Sequence, residues 1–109
     1  MKIVIIGAGN VGASAAFLLL SHKVAKELVL LDINANLAKG KALDLAQSAS
    51  LLDINANVHG GDECKMLKNA DICVITAGFA RKEGQSRDEL ANKNAKIVSF
   101  WSEKISKFA

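Results

Sequence analysis

The chain has 109 residues, of which 50% are apolar and 23% charged, with a net charge of +3. So much apolar side chain and so small a charge exclude disorder; this length buries roughly two-thirds of its unfolded surface, enough for one core only. The 14 Lys and Arg are interspersed among 11 Asp and Glu, with no basic run longer than Arg81-Lys82, so nucleic acid is not an expected partner.

Proline and tyrosine are absent, and aromatic residues reach only 5%. The core must then be Ala, Val, Ile and Leu, as in layered α/β proteins whose parallel strands are buried on both faces. Cys64 and Cys73 fit no zinc spacing and no CxxC motif, so no metal site is expected. Cys73 sits inside an apolar run, where a small buried thiol is the usual occupant, and a reduced, intracellular setting follows. Residues 1–6 are too short for a signal h-region, and the longest apolar stretch, 13–20, cannot cross a bilayer. The expected location is the cytoplasm, with no membrane partner.

Residues 3–6 form a continuous apolar run ending in Gly-Ala-Gly, a buried strand feeding a tight turn. Residues 11–21 are small and apolar on every side, which predicts a buried helix packed close to a sheet. A second strand spans 27–32. A helix over 37–52 places Ala38, Ala42, Leu45, Ala49 and Leu52 on one stripe. Gly40 inside it costs about 1 kcal/mol relative to Ala, so either something approaches closely there or the site is tolerated. Residues 57–59 make a weak third strand, broken by Gly60-Gly61; 71–76 make a strong fourth; 79–86 read as a polar loop and 86–108 as a long helix. Asp32-Ile33-Asn34-Ala35-Asn36 recurs at 53–57, but five residues twice make no solenoid. Alternating strands and helices predict a parallel sheet with right-handed crossovers.

Gly7-Ala8-Gly9-Asn10-Val11-Gly12 matches GxGxxG, follows a strand, opens a helix and precedes by about 20 residues an acid, Asp32, ending the next strand. Gly7 permits the tight turn, Gly9 lets backbone approach a pyrophosphate, and Gly12 lets the helix pack against the strand. The helix N-terminus offers N–H groups and the positive end of its dipole to the anion. Asp32 can accept hydrogen bonds from an adenosine ribose; a 2′-phosphate there would be repelled, and no arginine follows to receive it. NAD is therefore preferred to NADP, with FAD the alternative user of such a turn. The bland alternative is a ligand-free turn and an Asp that caps the next helix.

Thr76, Ala77 and Gly78 leave the carboxyl end of the fourth strand, where ligands bind in open α/β sheets. Beyond them, Arg81 and Arg87 lie six residues apart on and just past a loop containing Gly84. Ser86 and Glu89 form a capping box, which starts the helix at Arg87. In that register Arg87, Leu90, Asn94, Ile97, Trp101, Ile105 and Phe108 share one stripe. Arg87 and Asn94 are thus expected to point inward or into a cleft, either paired with neighbouring groups or serving a ligand.

The turn at 7–12, Asp32, the segment Lys39-Gly40-Lys41-Ala42-Leu43-Asp44-Leu45, and Ile75-Thr76-Ala77-Gly78 with Arg81-Lys82, Gly84, Ser86-Arg87 and Asn94-Ala95 together resemble the lactate/malate dehydrogenase family, on its malate dehydrogenase side. The resemblance covers essentially the whole chain. It implies that Gly7, Ala8, Gly9, Asn10, Val11, Gly12, Asp32, Thr76, Ala77, Gly78 and Asn94 hold NAD, and that Arg81 and Arg87 contact a dicarboxylate, malate or oxaloacetate. It further implies that 79–86 is a closing lid, that Arg81 replaces the glutamine of lactate dehydrogenases, and that Arg87 stabilises the reacting oxygen. Glu83 stands where the family usually has proline, which puts lid closure in doubt more than specificity.

The proton-transferring histidine and its aspartate, which the family requires, are not expected among these residues. His22 lies near a helix end and His59 on a weak strand, away from Arg81 and Arg87. The reading is a partial Rossmann sheet of order 3-2-1-4, residues 1–109 forming an NAD-binding domain fragment without its substrate domain. By itself it is expected to bind NAD weakly and turn nothing over. The implied function is (S)-malate oxidation with NAD, a tricarboxylic acid cycle reaction, by a homo-oligomer that uses the 37–52 helix at subunit contacts. Lactate dehydrogenase and a non-catalytic NAD-sensing module are the alternatives.

Overall fold

The computed structural model describes residues 1–78 and 83–109. Four parallel strands, β1 (Lys2–Ile6), β2 (Glu27–Leu31), β3 (Asn57–Gly61) and β4 (Ile72–Ile75), form one sheet in the order β3-β2-β1-β4. Helix α1 (Asn10–Ser21) links β1 to β2, α2 (Ala35–Leu51) links β2 to β3, and α3 (Arg87–Phe108) follows β4. A single 3-10 turn, Cys64–Leu67, lies between β3 and β4; it is a short connection that no hydrophobic period announces.

Alternation along each strand divides the core into two layers. Ile3, Ile5, Leu28 and Leu30 pack against Ala16 and Leu20 of α1 and Ala38, Ala42 and Leu45 of α2. Val4, Ile6, Val29 and Leu31 face the other way, onto Leu67 and Trp101. Covering both faces is why these strands read as unbroken apolar runs. Cys73 belongs to the second layer, and burial pushes its thiol above the ordinary range, partly opposed by the Lys2 ammonium. Lys2 also ties the far end of the sheet together: its N–H donates to Asp71 Oδ2 at 2.7 Å and its Nζ to the Lys68 carbonyl at 2.7 Å.

Several local expectations change. Helix α1 buries only Gly12, Ala16 and Leu20, while Val11 is 72% exposed and Phe17 and Leu18 face outward. A helix on one face of a sheet has one side to bury, whatever the composition of the other. Leu52 caps α2 instead of joining its buried stripe and is exposed. Asn34 accepts from the Leu37 N–H, which starts α2 at Ala35. Both α1 and α2 end in Schellman turns with Lys23 and Asp53 at φ 56, positions that favour glycine.

Gly60 and Gly61 do not break β3; they pair with Leu30 and Leu31. A Cβ on Gly60 would lie 2.3 Å from the Ala38 carbonyl oxygen, so this glycine lets α2 cross the strand at backbone contact. At Gly40, conversely, a Cβ would meet nothing within 4 Å. Close approach falls on the strand and not on the helix. Gly60→Ala is therefore expected to destabilise the fold by about 1–3 kcal/mol, whereas Gly40→Ala stabilises it by up to about 1 kcal/mol. Urea midpoints of the two variants check this, and shifts of the same sign would refute it.

Candidate functional site

The carboxyl ends of β1, β2 and β4 converge on one cleft. Gly7 turns the chain at φ 108, and a Cβ there would stand 2.6 Å from Thr76 Oγ1. A Cβ on Gly12 would lie 1.9 Å from the Gly7 carbonyl oxygen, so α1 begins in contact with the turn itself. Gly9 differs from both. Its φ is −74 and a Cβ on it would meet nothing within 4 Å, so the chain's own packing does not require glycine here. Gly9 caps α1 with no side-chain hydrogen bond, and the first intrahelical bond is Ala13 N–H to the Gly9 carbonyl at 2.9 Å. The N–H groups of Asn10, Val11 and Gly12 precede that bond and lie at the positive end of the helix dipole.

Asp32 follows β2 and spans two segments. Its Oδ2 accepts from the Ala8 N–H at 2.8 Å and its Oδ1 from the Asn34 N–H at 2.9 Å. One oxygen thus holds the glycine turn and the other holds the N-cap of α2. A carboxylate has about four acceptor positions, so about two remain for a diol on the cleft side.

Thr76 leaves β4 with its N–H on the Ile6 carbonyl at 2.7 Å, and its hydroxyl donates toward the Ile6 and Gly7 carbonyls at 3.0 and 3.1 Å. Beyond it, Asn94 Oδ1 lies 3.2 Å from where a Gly78 Cβ would stand. Asn94 is half-buried on the expected stripe of α3. That helix begins where the capping box places it, with Ser86 Oγ accepting from the Glu89 N–H at 3.1 Å. Arg87, however, is exposed and forms no ion pair among the described residues. The part of α3 that packs on the sheet runs from Ile97 through Trp101 and Ile105 to Phe108, so the first turn has no layer to face. Arg81 lies outside the described residues.

Of the expected site residues, Gly7, Gly9, Asp32, Thr76, Ala77 and Gly78 line one cleft of about 540 Å³. Ala8, Asn10, Val11 and Gly12 form the turn and helix start beside it, and Asn94 stands next to Gly78 without itself lining the cleft. The cleft also gathers residues that the sequence reading left out: Ile33, Asn34 and Leu37 on one wall, and Lys96, Ile97 and Phe100 of α3 on the other. Ile33 is 79% exposed directly after Asp32, an apolar side chain in an exposed place that could have signalled a ligand. His22 caps α1 and His59 sits in β3; both are exposed and neither lines the cleft. Among the described residues no cluster of His, Cys, Asp and Glu could hold a metal ion. Among them too, no helix is long and apolar enough to cross a membrane.

A parallel sheet of this order, with a glycine turn at its first crossover and an acid after its second strand, defines a Rossmann-type domain. Residues 1–109 match the family described as lactate/malate dehydrogenase, NAD binding domain, and the chain belongs to that family. The malate dehydrogenase of Neorickettsia sennetsu is 42% identical over 109 residues, all of this chain and 35% of that protein. The probable malate dehydrogenase of Campylobacter jejuni is 45% identical over 108 residues, 99% of this chain and 36% of that protein. Among solved structures, the malate dehydrogenase of Archaeoglobus fulgidus in complex with NADH superposes with a TM-score of 0.95 at 42% identity, covering 100% of this chain and 37% of that one. The lactate dehydrogenase of Cryptosporidium parvum, complexed with lactic acid and NAD, has a TM-score of 0.89 at 30% identity, covering 99% and 34%. The chain spans about a third of the length of the curated relatives it matches.

Because Asp32 holds two backbone N–H groups, Asp32→Ala is expected to cost about 1–3 kcal/mol of stability, the penalty of leaving donors unpaired. Asp32→Asn, which keeps one acceptor oxygen, is expected to cost less. Denaturation of both variants tests this; an alanine variant as stable as the parent would show that the carboxylate does not support the turn.

Proposed function

We propose that the chain is the cofactor-binding domain of an NAD-dependent malate dehydrogenase, which interconverts (S)-malate and oxaloacetate. The observation that carries the cofactor reading is Gly9. It is a glycine that neither φ nor packing requires, opening on the cleft between bare N–H groups and the Asp32 carboxylate. A pyrophosphate over Gly9 supplies the missing reason for that glycine, because a methyl would hold the phosphates off the backbone. The residues fit the rest of NAD as well. Asp32 keeps acceptors for the ribose diol and repels a 2′-phosphate, and Ile33, Leu37, Ile97 and Phe100 offer apolar walls to a flat base. When bound, NAD supplies the hydride acceptor and NADH the donor.

The substrate side rests on Arg81 and Arg87. In this reading Arg81 meets the distal carboxylate of the four-carbon diacid through two parallel hydrogen bonds. Arg87, cationic and without an ion pair among the described residues, stabilises the reacting oxygen as charge develops on it. Gly7 through Gly12 and Thr76 through Gly78 position the cofactor, with Asn94 beside Gly78. The proton-transferring pair and a further substrate arginine belong to a substrate domain outside these residues. A homo-oligomer in the cytoplasm, working in the tricarboxylic acid cycle, completes the proposal. Exposed leucines on α2, Leu43 and Leu51, support the subunit contact.

Two measurements test the reading in the intact enzyme, with its substrate domain. Gly9→Ala should change stability by less than about 1 kcal/mol, the scale of an N-cap substitution, yet weaken NADH at least tenfold; unchanged NADH affinity would remove the reason given for this glycine. Arg81→Gln should lower kcat/KM for oxaloacetate by about 30-fold or more, matching the 2–5 kcal/mol lost with one partner of a desolvated pair, while pyruvate turnover holds or rises. An unchanged preference would refute the diacid assignment. NADH binding indifferent to dicarboxylates would favour a sensing module.

A further inference from the structure

The glycine turn has no side chain of its own to hold it. Gly7, Ala8 and Gly9 carry at most a methyl; besides the Gly7 N–H, which donates to the Leu31 carbonyl at 2.8 Å, the turn is kept in place from outside by two side chains. One is Asp32, through the Ala8 N–H. The other is the Thr76 hydroxyl, which arrives from β4 and stands within hydrogen-bond distance of the Ile6 and Gly7 carbonyls, at 3.0 and 3.1 Å. The Ile6 carbonyl already receives the Thr76 N–H at 2.7 Å. The Gly7 carbonyl is thus where the hydroxyl adds most. That same oxygen is the atom that a Cβ on Gly12 would strike, and Thr76 Oγ1 lies 2.8 Å from the place of that Cβ and 2.6 Å from the place of a Gly7 Cβ. The hydroxyl fills the gap left by two glycines, where β1, α1 and β4 meet.

We propose that Thr76 is a positioning residue for the anion site: its hydroxyl sets the place of the Gly7 turn, and through it the N–H groups at the start of α1. The inference rests on the reading of the cleft as a dinucleotide site. Replacing Oγ1 by a methyl removes the donor and also sets carbon 3.0 and 3.1 Å from two carbonyl oxygens, inside the 3.3–3.6 Å at which carbon and oxygen normally meet. The turn must then move, and it moves relative to Asp32. A ligand bound by its ribose alone does not register that shift, whereas one bound also by its phosphates does.

The test compares ligands with and without phosphates in the intact enzyme that carries this domain. Thr76→Val should weaken NADH and ADP by about tenfold or more and leave adenosine within twofold, while Thr76→Ser, which keeps the hydroxyl, should stay within about threefold of the parent for all three. If the valine variant fails to fold, Thr76→Ala removes the hydroxyl without the added methyl, and the same comparison decides. Unchanged ADP affinity in the variant without the hydroxyl would overturn the proposal, as would an equal loss of adenosine and ADP, the mark of a purely structural residue. A parent chain that binds neither NADH nor ADP would instead refute the dinucleotide reading, and the inference with it.

Discussion

The contact on which this end of the molecule depends is the meeting of α1 with the end of β1. No residue larger than glycine fits at Gly12, because a Cβ there would overlap the Gly7 carbonyl. Once that approach is made, the remaining geometry follows with little freedom. The helix begins flush against the sheet, next to Gly9 at the edge of the cleft, and the Ala8 N–H comes within 2.8 Å of Asp32. Thr76 closes the arrangement from β4. Three strands and a helix are thus fixed relative to one another by contacts within the chain, before any ligand is considered.

Two kinds of glycine separate in this light. Gly7, Gly12 and Gly60 are explained by the chain itself: a positive φ, a carbonyl in the way, or a helix crossing a strand. Gly9 is not, and that asymmetry is what turns a fold motif into an argument for a ligand. The sequence pattern GxGxxG treats its three glycines alike. Only the geometry shows that two are required by the chain's own packing and one is not.

Strands β1 and β2 were legible because burial on both faces removes polar residues from them, leaving runs such as Ile3-Val4-Ile5-Ile6; β4 reads as apolar too, although Ile72 and Val74 on one of its faces are exposed. The rest was obscured where one local signal serves two ends. Gly60-Gly61 reads as a break, yet the same residues permit close approach within a paired strand. Asp-Ile-Asn-Ala-Asn occurs twice with different outcomes. Asp32 follows β2 and its carboxylate binds two N–H groups, whereas Asp53 takes φ 56 to close α2. Tertiary surroundings decide between them. At the site, the turn and Asp32 were readable from local order, but Lys96, Ile97 and Phe100 were not. They come from α3, where Ile97, Trp101, Ile105 and Phe108 pack on the core, and nothing in the spacing reveals that one flank also walls the cleft. Arg87 shows the converse: helical register put it on the buried stripe, but the sheet beneath α3 does not extend to its first turn.

Asp32 binds the two halves of the proposed recognition together. Its carboxylate holds the turn that would receive the phosphates and the N-cap of α2 beside the ribose position. Choice of cofactor and placement of the anion site are therefore not independent in this fold. Exchanging the acid to admit a 2′-phosphate would relieve the repulsion, but it would also release the Ala8 N–H, which lies on a fully buried residue. A residue that admits the extra phosphate must still supply an acceptor to the turn, and a short neutral side chain cannot reach both donors at once. The acid is thus required by the mechanics of the turn, apart from the diol proposed to face it, and altered specificity requires a second change that restores support to Ala8.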